Sequence, residues 1–336
     1  MWSDIWAEVV SDALDAIPDG VESDSKKSLT LYEWREKGGY HVTGATKREF
    51  HLSCAANEFG GVITRDVEHL LDQAVQHKAV IQQALTAKSS PSETWLLVTL
   101  YYLSVYLGLA WLRLTGQAVA YMGSDEVSEI RKLGSLEDNS KSPANGTFVI
   151  RCREIVGARR ILILERSRHN NFHEAFWAIL FKDFRGRLNR HLQATAGPET
   201  RFFSCLAATG FADTAWPTQL RNLANYRVGF AYGGVTAEDS LKIVDAWPAS
   251  GFGNVLDLVT AAENLSIKVA YLPTYKAPSQ YAEFLLHYTA LLGVAVVQLR
   301  KEIWAARRIS EKWQRRRDRY LEMWNCRSSN LSWAFS

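Results

Sequence analysis

The stretch that decides the fold is TWLLVTLYYLSVYLGLAWL, residues 94–112, which runs for nineteen residues without a formal charge. Its length meets the requirement for a transmembrane helix, which needs about 20 mostly apolar residues. Three tyrosines, two threonines and a serine interrupt the run, and Arg113 follows it directly. The favoured interpretation is therefore a core helix buried on all sides, and the alternative is a membrane-associated protein held by this run.

A second run of similar character, YAEFLLHYTALLGVAVVQL, covers residues 281–299. Amphipathic spacing predicts further helices over residues 3–17 and from Thr64 to about residue 87. Two long apolar helices packed together, with others around them, are typical of a helical bundle. The sequence thus predicts a mainly α fold, a multi-helix bundle.

Between the two apolar runs, the sequence pattern changes from one typical of helices to one typical of strands. TFVIRCREI and RRILILER, separated by VGA, predict a β-hairpin near residues 146–166. Shorter alternating pieces, LTLYEW and YHVTG, predict strands earlier in the chain. We expect an N-terminal helix and polar segment over 1–60, then a helical domain over 61–336 with the hairpin as a small insert and a basic C-terminal helix over 299–327.

Composition and charge narrow the class of protein. The chain has 336 residues, 47% of them apolar and 22% charged, with twelve tryptophans and only eight prolines, which is an ordinary globular composition. The four cysteines lie far apart, and the first twenty residues lack a basic segment, so a reduced cytoplasmic protein is expected. Residues 300–327 carry a net charge of +6 against +3 for the whole chain, so an anionic partner is expected at this end.

The first candidate site is ERSRHNNFHEAFW, residues 165–177. We expect a helix to begin here, with Asn171 as its N-cap and Glu174 as the capping-box partner. Arg168 lies beside His173 and would keep its imidazole neutral and ready to accept a proton. Such a pair suits RNA cleavage, in which the histidine takes the 2′-hydroxyl proton and the arginine stabilises charge on the phosphate. The interpretation favoured over this one is a capped helix start with a half-buried histidine.

His169 and His173 stand four residues apart, the spacing of two metal ligands on one helix face. A working site needs a third ligand, and the neighbouring residues do not supply one. The sequence therefore predicts neither a metal nor a cofactor.

Three further basic groups are candidates for nucleic-acid or partner binding. The run FRGRLNRHL, residues 184–192, is either a helix end stabilised by the dipole or a phosphate contact. The segment LRNLANY, residues 220–226, could bind a phosphate but has no histidine to cleave one. In the C-terminal helix, arginines alternate with aromatic residues, a pattern that grips single-stranded nucleic acid or simply forms a solvated basic face. The residues concerned are Arg185, Arg187, Arg190, His191, Arg221, Asn222, Trp313, Arg315, Arg316 and Arg317.

The predicted helix pair of residues 68–85 and 94–116 resembles the paired core helices of the HEPN superfamily, whose second helix often carries an apolar run centred on two tyrosines. The polar loop and the NGTFVI strand after it resemble the YaaC-like branch, in which a small β element interrupts the helices. The resemblance covers about residues 60–230. HEPN nucleases are similar in using an arginine, a polar residue and a nearby histidine at a helix start; Arg168, His169 and His173 fit that spacing, whereas Arg221-Asn222 fits only its first half.

The resemblance implies a dimer, metal-independent RNA cleavage and, in many members, a binding role without cleavage in bacterial toxin–antitoxin or anti-phage systems. We therefore expect a subunit of a prokaryotic defence system that binds a protein partner, for example an ATPase, and/or RNA or DNA. The alternative is a metal-independent endoribonuclease that uses Arg168 and His173. Whether the protein is an enzyme stays open at this point.

Overall fold

In the computed structural model, the described residues are 4–19, 21, 29–86, 93–135, 142–169, 171–191, 197–211, 213–226, 255–269 and 272–309. The helices are α1 (Asp4–Ala16), α2 (Leu31–Lys37), α3 (Ala56–Thr86), α4 (Glu93–Leu114), α5 (Ser124–Leu133), α6 (Phe172–Arg190), α7 (Pro198–Leu206), α8 (Trp216–Tyr226), α9 (Val255–Val269) and α10 (Pro278–Ala306). The strands are β1 (His41–Ala45), β2 (Glu49–Ala55), β3 (Gln117–Met122), β4 (Gly146–Val156) and β5 (Arg159–Arg166). The prediction of a mainly α protein is confirmed.

Helix α4, the charge-free run, is the centre of the bundle. It packs against α3, α6, α8 and α10, which explains why apolar residues cover most of its circumference. Gly108 permits the close approach of α6, because a Cβ atom at this position would lie 2.6 Å from the ring of Phe176 and 2.7 Å from Leu180. The prediction of a core helix is confirmed, but its expected burial on all sides is wrong, because Trp95 is 70% exposed and Thr99, Tyr102 and Tyr106 are only partly buried.

Buried polar contacts fix how the long helices pack on one another. Ser104 of α4 and Thr289 of α10 share a hydrogen bond of 2.5 Å. Arg300 of α10 donates from Nε to Glu68 of α3 at 2.7 Å, and both side chains are buried. Separating this pair would leave a buried charge without its partner, which is strongly destabilising.

Helices α4 and α10 are both long and apolar enough to cross a membrane, judged by length and composition alone. In the structure, 72% of the apolar window of α4 and 83% of that of α10 are buried by other parts of the protein. Core helices meet the same criteria, so these two runs are weak evidence for a membrane location.

The strands form one antiparallel sheet in the order β1-β2-β5-β4-β3. The predicted hairpin is confirmed as β4 and β5, and Gly157 in their turn adopts a φ of 62°, which glycine tolerates at no steric cost. The hairpin is not an isolated insert, however, because β2 pairs with β5 and β3 pairs with β4. Long-range pairing of this kind has no local sequence signal.

Two local predictions are corrected. LTLYEW is not a strand: Thr30 caps α2 and Glu33 completes a capping box, and Leu31 and Trp34 face the core at helical spacing. The segment predicted as a separate helix from residue 299 begins inside α10, which continues unbroken from Pro278 to Ala306. Residues 310–336, which hold the rest of the predicted basic helix, lie outside the described residues.

The predicted domain boundary at residue 60 falls inside α3. Apolar residues on both sides of it, from Ile5 of α1 to Trp304 of α10, belong to one continuous core. The N-terminal helix is part of this core because its apolar face packs against α10.

Candidate functional site

Helix α6 begins where the sequence predicts. Asn171 adopts an extended backbone, and its Oδ1 accepts a hydrogen bond of 2.8 Å from the backbone N–H of Glu174, so the predicted N-cap is confirmed. The helix starts at Phe172, which leaves His169 outside it and exposed. His169 and His173 therefore do not share a helix face. Arg168 is also exposed, and it forms no hydrogen bond or ion pair with the described part of the chain.

His173, in the first turn of α6, points at α4. Its Nδ1 lies 2.9 Å from the hydroxyl oxygen of Tyr101, and the indole N–H of Trp177 donates to the same oxygen at 3.2 Å. Thr218 Oγ1 is near this hydroxyl without reaching hydrogen-bond geometry. Because the buried tyrosine proton needs an acceptor, Tyr101 donates to His173 Nδ1. The neutral imidazole then carries its own proton on Nε2.

The electrostatics of His173 agree with a neutral ring. Burial, and to a lesser extent the positive charge of Arg221, lower the pKa of His173 to about 4. Burial also raises the pKa of Tyr101, so the tyrosine keeps its proton. At neutral pH the site therefore presents an uncharged hydrogen-bond donor.

Arg221 reaches this site from α8. Its guanidinium carbon lies 5.5 Å from the centre of the Tyr101 ring, a cation–π contact. Its Nε is buried and has no hydrogen-bond partner among the described residues. The next residue, Asn222, is exposed. The arginine that meets His173 is thus Arg221 rather than Arg168, and the two come together only through the fold.

We call the group Tyr101, His173, Trp177 and Arg221 the Tyr101 junction. The sequence singled out His173 and Arg221 as separate candidates, but it did not identify Tyr101 or Trp177. The residue types alone could have indicated them, because a buried tyrosine hydroxyl and a buried tryptophan N–H each require a hydrogen-bond partner. The sequence could not name that partner, since the residues lie on different helices.

The other end of α6 is bound into the protein. Arg185 donates to the carbonyl oxygens of Ala207, Ala208 and Phe211 at 2.9–3.0 Å, which caps the end of α7. Arg187 is 2% exposed. These two guanidinium groups cannot reach a phosphate without leaving their internal partners, so the predicted phosphate contact has no support in the geometry at these positions.

Acidic residues on α1 pair with the remaining basic residues at this end of α6. Arg187 pairs with Asp183 at 3.0 Å and with Asp12 at 2.8 Å. Arg190 and His191 both contact Glu8, the histidine at 2.8 Å. Burial opposes ionisation of Glu8, but hydrogen bonds from Arg190 and His191 outweigh it and lower the pKa of that carboxyl.

Within the described ranges, no group of three or more His, Cys, Asp or Glu side chains is arranged to hold a metal ion. The remaining predicted contacts, Trp313, Arg315, Arg316 and Arg317, lie outside the described residues, so their predicted role in binding stays a prediction.

Comparison of the chain with protein-family models, with curated proteins and with solved structures finds no match. The resemblance to the HEPN superfamily stays a prediction.

Proposed function

We propose that this protein is an RNA-binding, HEPN-like subunit of a prokaryotic defence system and that an RNA phosphate binds at the Tyr101 junction. The observation that carries the proposal is Arg221, a partly exposed guanidinium that forms no ion pair with the described residues and lies beside a neutral histidine. Leaving a charged donor without a partner costs free energy, which an incoming anion would recover.

The two donors of the site suit a phosphate. The guanidinium of Arg221 supplies charge and directed N–H groups, which bind phosphate oxygens more strongly than neutral donors do. The imidazole of His173, with its proton on Nε2, adds a second donor that does not need to be charged. Stacking on Tyr101 holds the guanidinium plane in place, so less rotamer freedom is lost on binding.

The defence context comes from the sequence resemblance. A protein partner such as an ATPase, a homodimer and a cytoplasmic location belong to this proposal, and the basic segment after residue 300 is the part of the chain we expect to contact that partner or the nucleic acid.

The experiment compares Arg221→Met with Arg168→Met in the full chain. Fluorescence anisotropy of a labelled single-stranded RNA of about 12 nucleotides gives the affinity, and thermal melting checks the fold of each variant. We expect Arg221→Met to weaken binding about tenfold or more and to reduce the slope of log K against log salt by about 0.7, the value for one phosphate contact on a single strand. Arg168→Met is the matched control and leaves both quantities unchanged.

If Arg168→Met and Arg221→Met lower the RNA affinity equally, the Tyr101 junction is not the specific site, and the segment before α6 also contacts the RNA. A wild-type protein that binds no RNA would contradict the proposed function itself.

Metal-independent endoribonuclease activity is the second candidate, favoured by the neutral His173 next to a cation. In the tautomer described above the lone pair of the imidazole is on Nδ1 and turned toward Tyr101, so it is not free to take a 2′-hydroxyl proton. Binding therefore ranks ahead of cleavage. The test is RNA cleavage in EDTA by the wild type, His173→Ala, Arg168→Ala and Arg221→Met; cleavage that His173→Ala and Arg221→Met abolish would establish the nuclease.

A further inference from the structure

One face of α4 stays accessible although the helix is central. Trp95, Thr99, Tyr102 and Tyr106, which we call the α4 stripe, are spaced by three or four residues and so lie on one line along the helix. Trp95 is 70% exposed, and the other three are partly buried, whereas the residues between Thr99 and Tyr102 and between Tyr102 and Tyr106 are buried. An exposed tryptophan in line with two tyrosines is not explained by packing of the bundle.

Aromatic contacts join the α4 stripe to the Tyr101 junction. The ring of Tyr102 meets the ring of Tyr101 edge-on at 5.4 Å and the ring of His173 at 6.1 Å. On the other side, His77 of α3 lies 6.3 Å from Tyr102 and 5.1 Å from Tyr106. The α4 stripe therefore lies next to the partly exposed His173 and Arg221, while Tyr101 itself is buried.

The chemistry of this surface favours nucleobases over a protein side chain as its occupant. Every ring on the α4 stripe carries a polar tip, Thr99 adds a hydroxyl, and no aliphatic residue lies on the line. A hydrophobic helix of a protein partner would instead require an apolar groove. Nucleobases stack on aromatic rings with little regard to sequence, and the cation of Arg221 at one side complements the phosphates that join them.

We propose that the α4 stripe is a stacking platform for the unpaired bases of single-stranded RNA whose phosphate is held at the Tyr101 junction; this inference rests on the proposed function. Trp95 and Tyr106 are eleven residues apart, about 16 Å at the helical rise, so the platform accommodates only a few nucleotides. Duplex RNA does not fit the platform, because its bases are already stacked on one another.

The experiment measures binding of a single-stranded RNA and of the same strand annealed to its complement. We expect the single strand to bind at least about tenfold more tightly, and we expect Tyr102→Leu and Trp95→Ala each to weaken it about tenfold, the usual loss for one stacked base. Tyr102→Phe keeps the ring and retains binding, which separates stacking from damage to the fold. Tyr121→Leu, a tyrosine 56% exposed on β3, is the matched control and leaves affinity unchanged.

The outcomes separate the inference from the function on which it rests. If Arg221→Met weakens binding but Tyr102→Leu and Trp95→Ala do not, or if duplex and single strand bind equally, the stacking platform is overturned and RNA binding at the junction stands. If the wild type binds neither RNA, both proposals fail together.

Discussion

Basic residues lie at both ends of α6, but in different states. At the C-terminal end, Arg187 and Arg190 are paired with carboxylates from α1 and α6 itself. At the N-terminal end, His173 is neutral and Arg221 has a buried Nε without a hydrogen-bond partner in the described part of the chain. A count of basic residues would rank the C-terminal end as the better phosphate site. The comparison teaches that a cation is available for a ligand only where the fold has not already neutralised it.

The largest effect we expect is on the C-terminal end of α6. Arg187→Met leaves the carboxylates of Asp183 and Asp12 without their buried partner, and breaking a buried ion pair typically costs about 3–5 kcal/mol of unfolding free energy. Urea denaturation measures the loss. Arg190→Met, at a side chain 56% exposed, is the matched control and should cost about 1 kcal/mol or less. Equal small losses would mean that the buried network is not what holds α1 on α6.

The next largest effect is the pH dependence of the free energy of unfolding that His173 causes at the N-terminal end of α6. The pKa of His173 is about 4 in the folded protein against 6.5 for an ordinary histidine, so between these values the unfolded chain binds more protons. The free energy of unfolding therefore falls as the pH is lowered through this window, by at most about 3 kcal/mol, less in practice because the ring is partly solvated.

Urea denaturation at neutral pH and near pH 4.5 tests this dependence. His173→Gln removes the part of the pH dependence that belongs to this ring, and His169→Gln, at an exposed residue before the helix, retains it. An identical pH dependence in the wild type and His173→Gln would show that the ring is already protonated or solvated in the native state.

The smallest effect we expect comes from Glu8, which neutralises cations at the C-terminal end of α6, and it tests whether that end can bind RNA. Glu8→Gln removes the carboxylate shared by the partly exposed Arg190 and His191 and a 3.4 Å contact with Arg187, which keeps Asp12 and Asp183, and should cost about 1 kcal/mol of unfolding free energy. We expect RNA affinity to stay the same, because the Tyr101 junction lies at the other end of the helix. If the RNA affinity rises on this substitution, the freed cations bind phosphate, which is the role that the sequence predicts for FRGRLNRHL.

Local patterns predicted much of the fold. The Asn171 cap, the β4–β5 turn and the central helix over residues 94–112 all follow from side chains within a few positions of one another, and each is confirmed. The prediction of a strand over LTLYEW is wrong because so short an alternation of apolar residues also fits one face of a helix. The capping box of Thr30 and Glu33 decides in favour of the helix.

The candidate site was only half predictable. His173 could be identified from its place in the first turn of α6, but its arginine could not, because spacing along the chain favours Arg168. The contact between Arg221 and Tyr101 depends on how α8 crosses α4, and no local pattern encodes a crossing.

The sequence by itself determined that the chain is mainly helical, where its central helix and its hairpin lie, and which residues can carry charge or donate protons. These properties depend on periodicity, capping and side-chain chemistry, which are local. Only the tertiary structure decided which cations are neutralised, which arginine meets His173 and which face of α4 stays open. Those outcomes depend on distances between residues far apart in the chain, and burial and Coulomb interactions take effect only once the fold has set those distances.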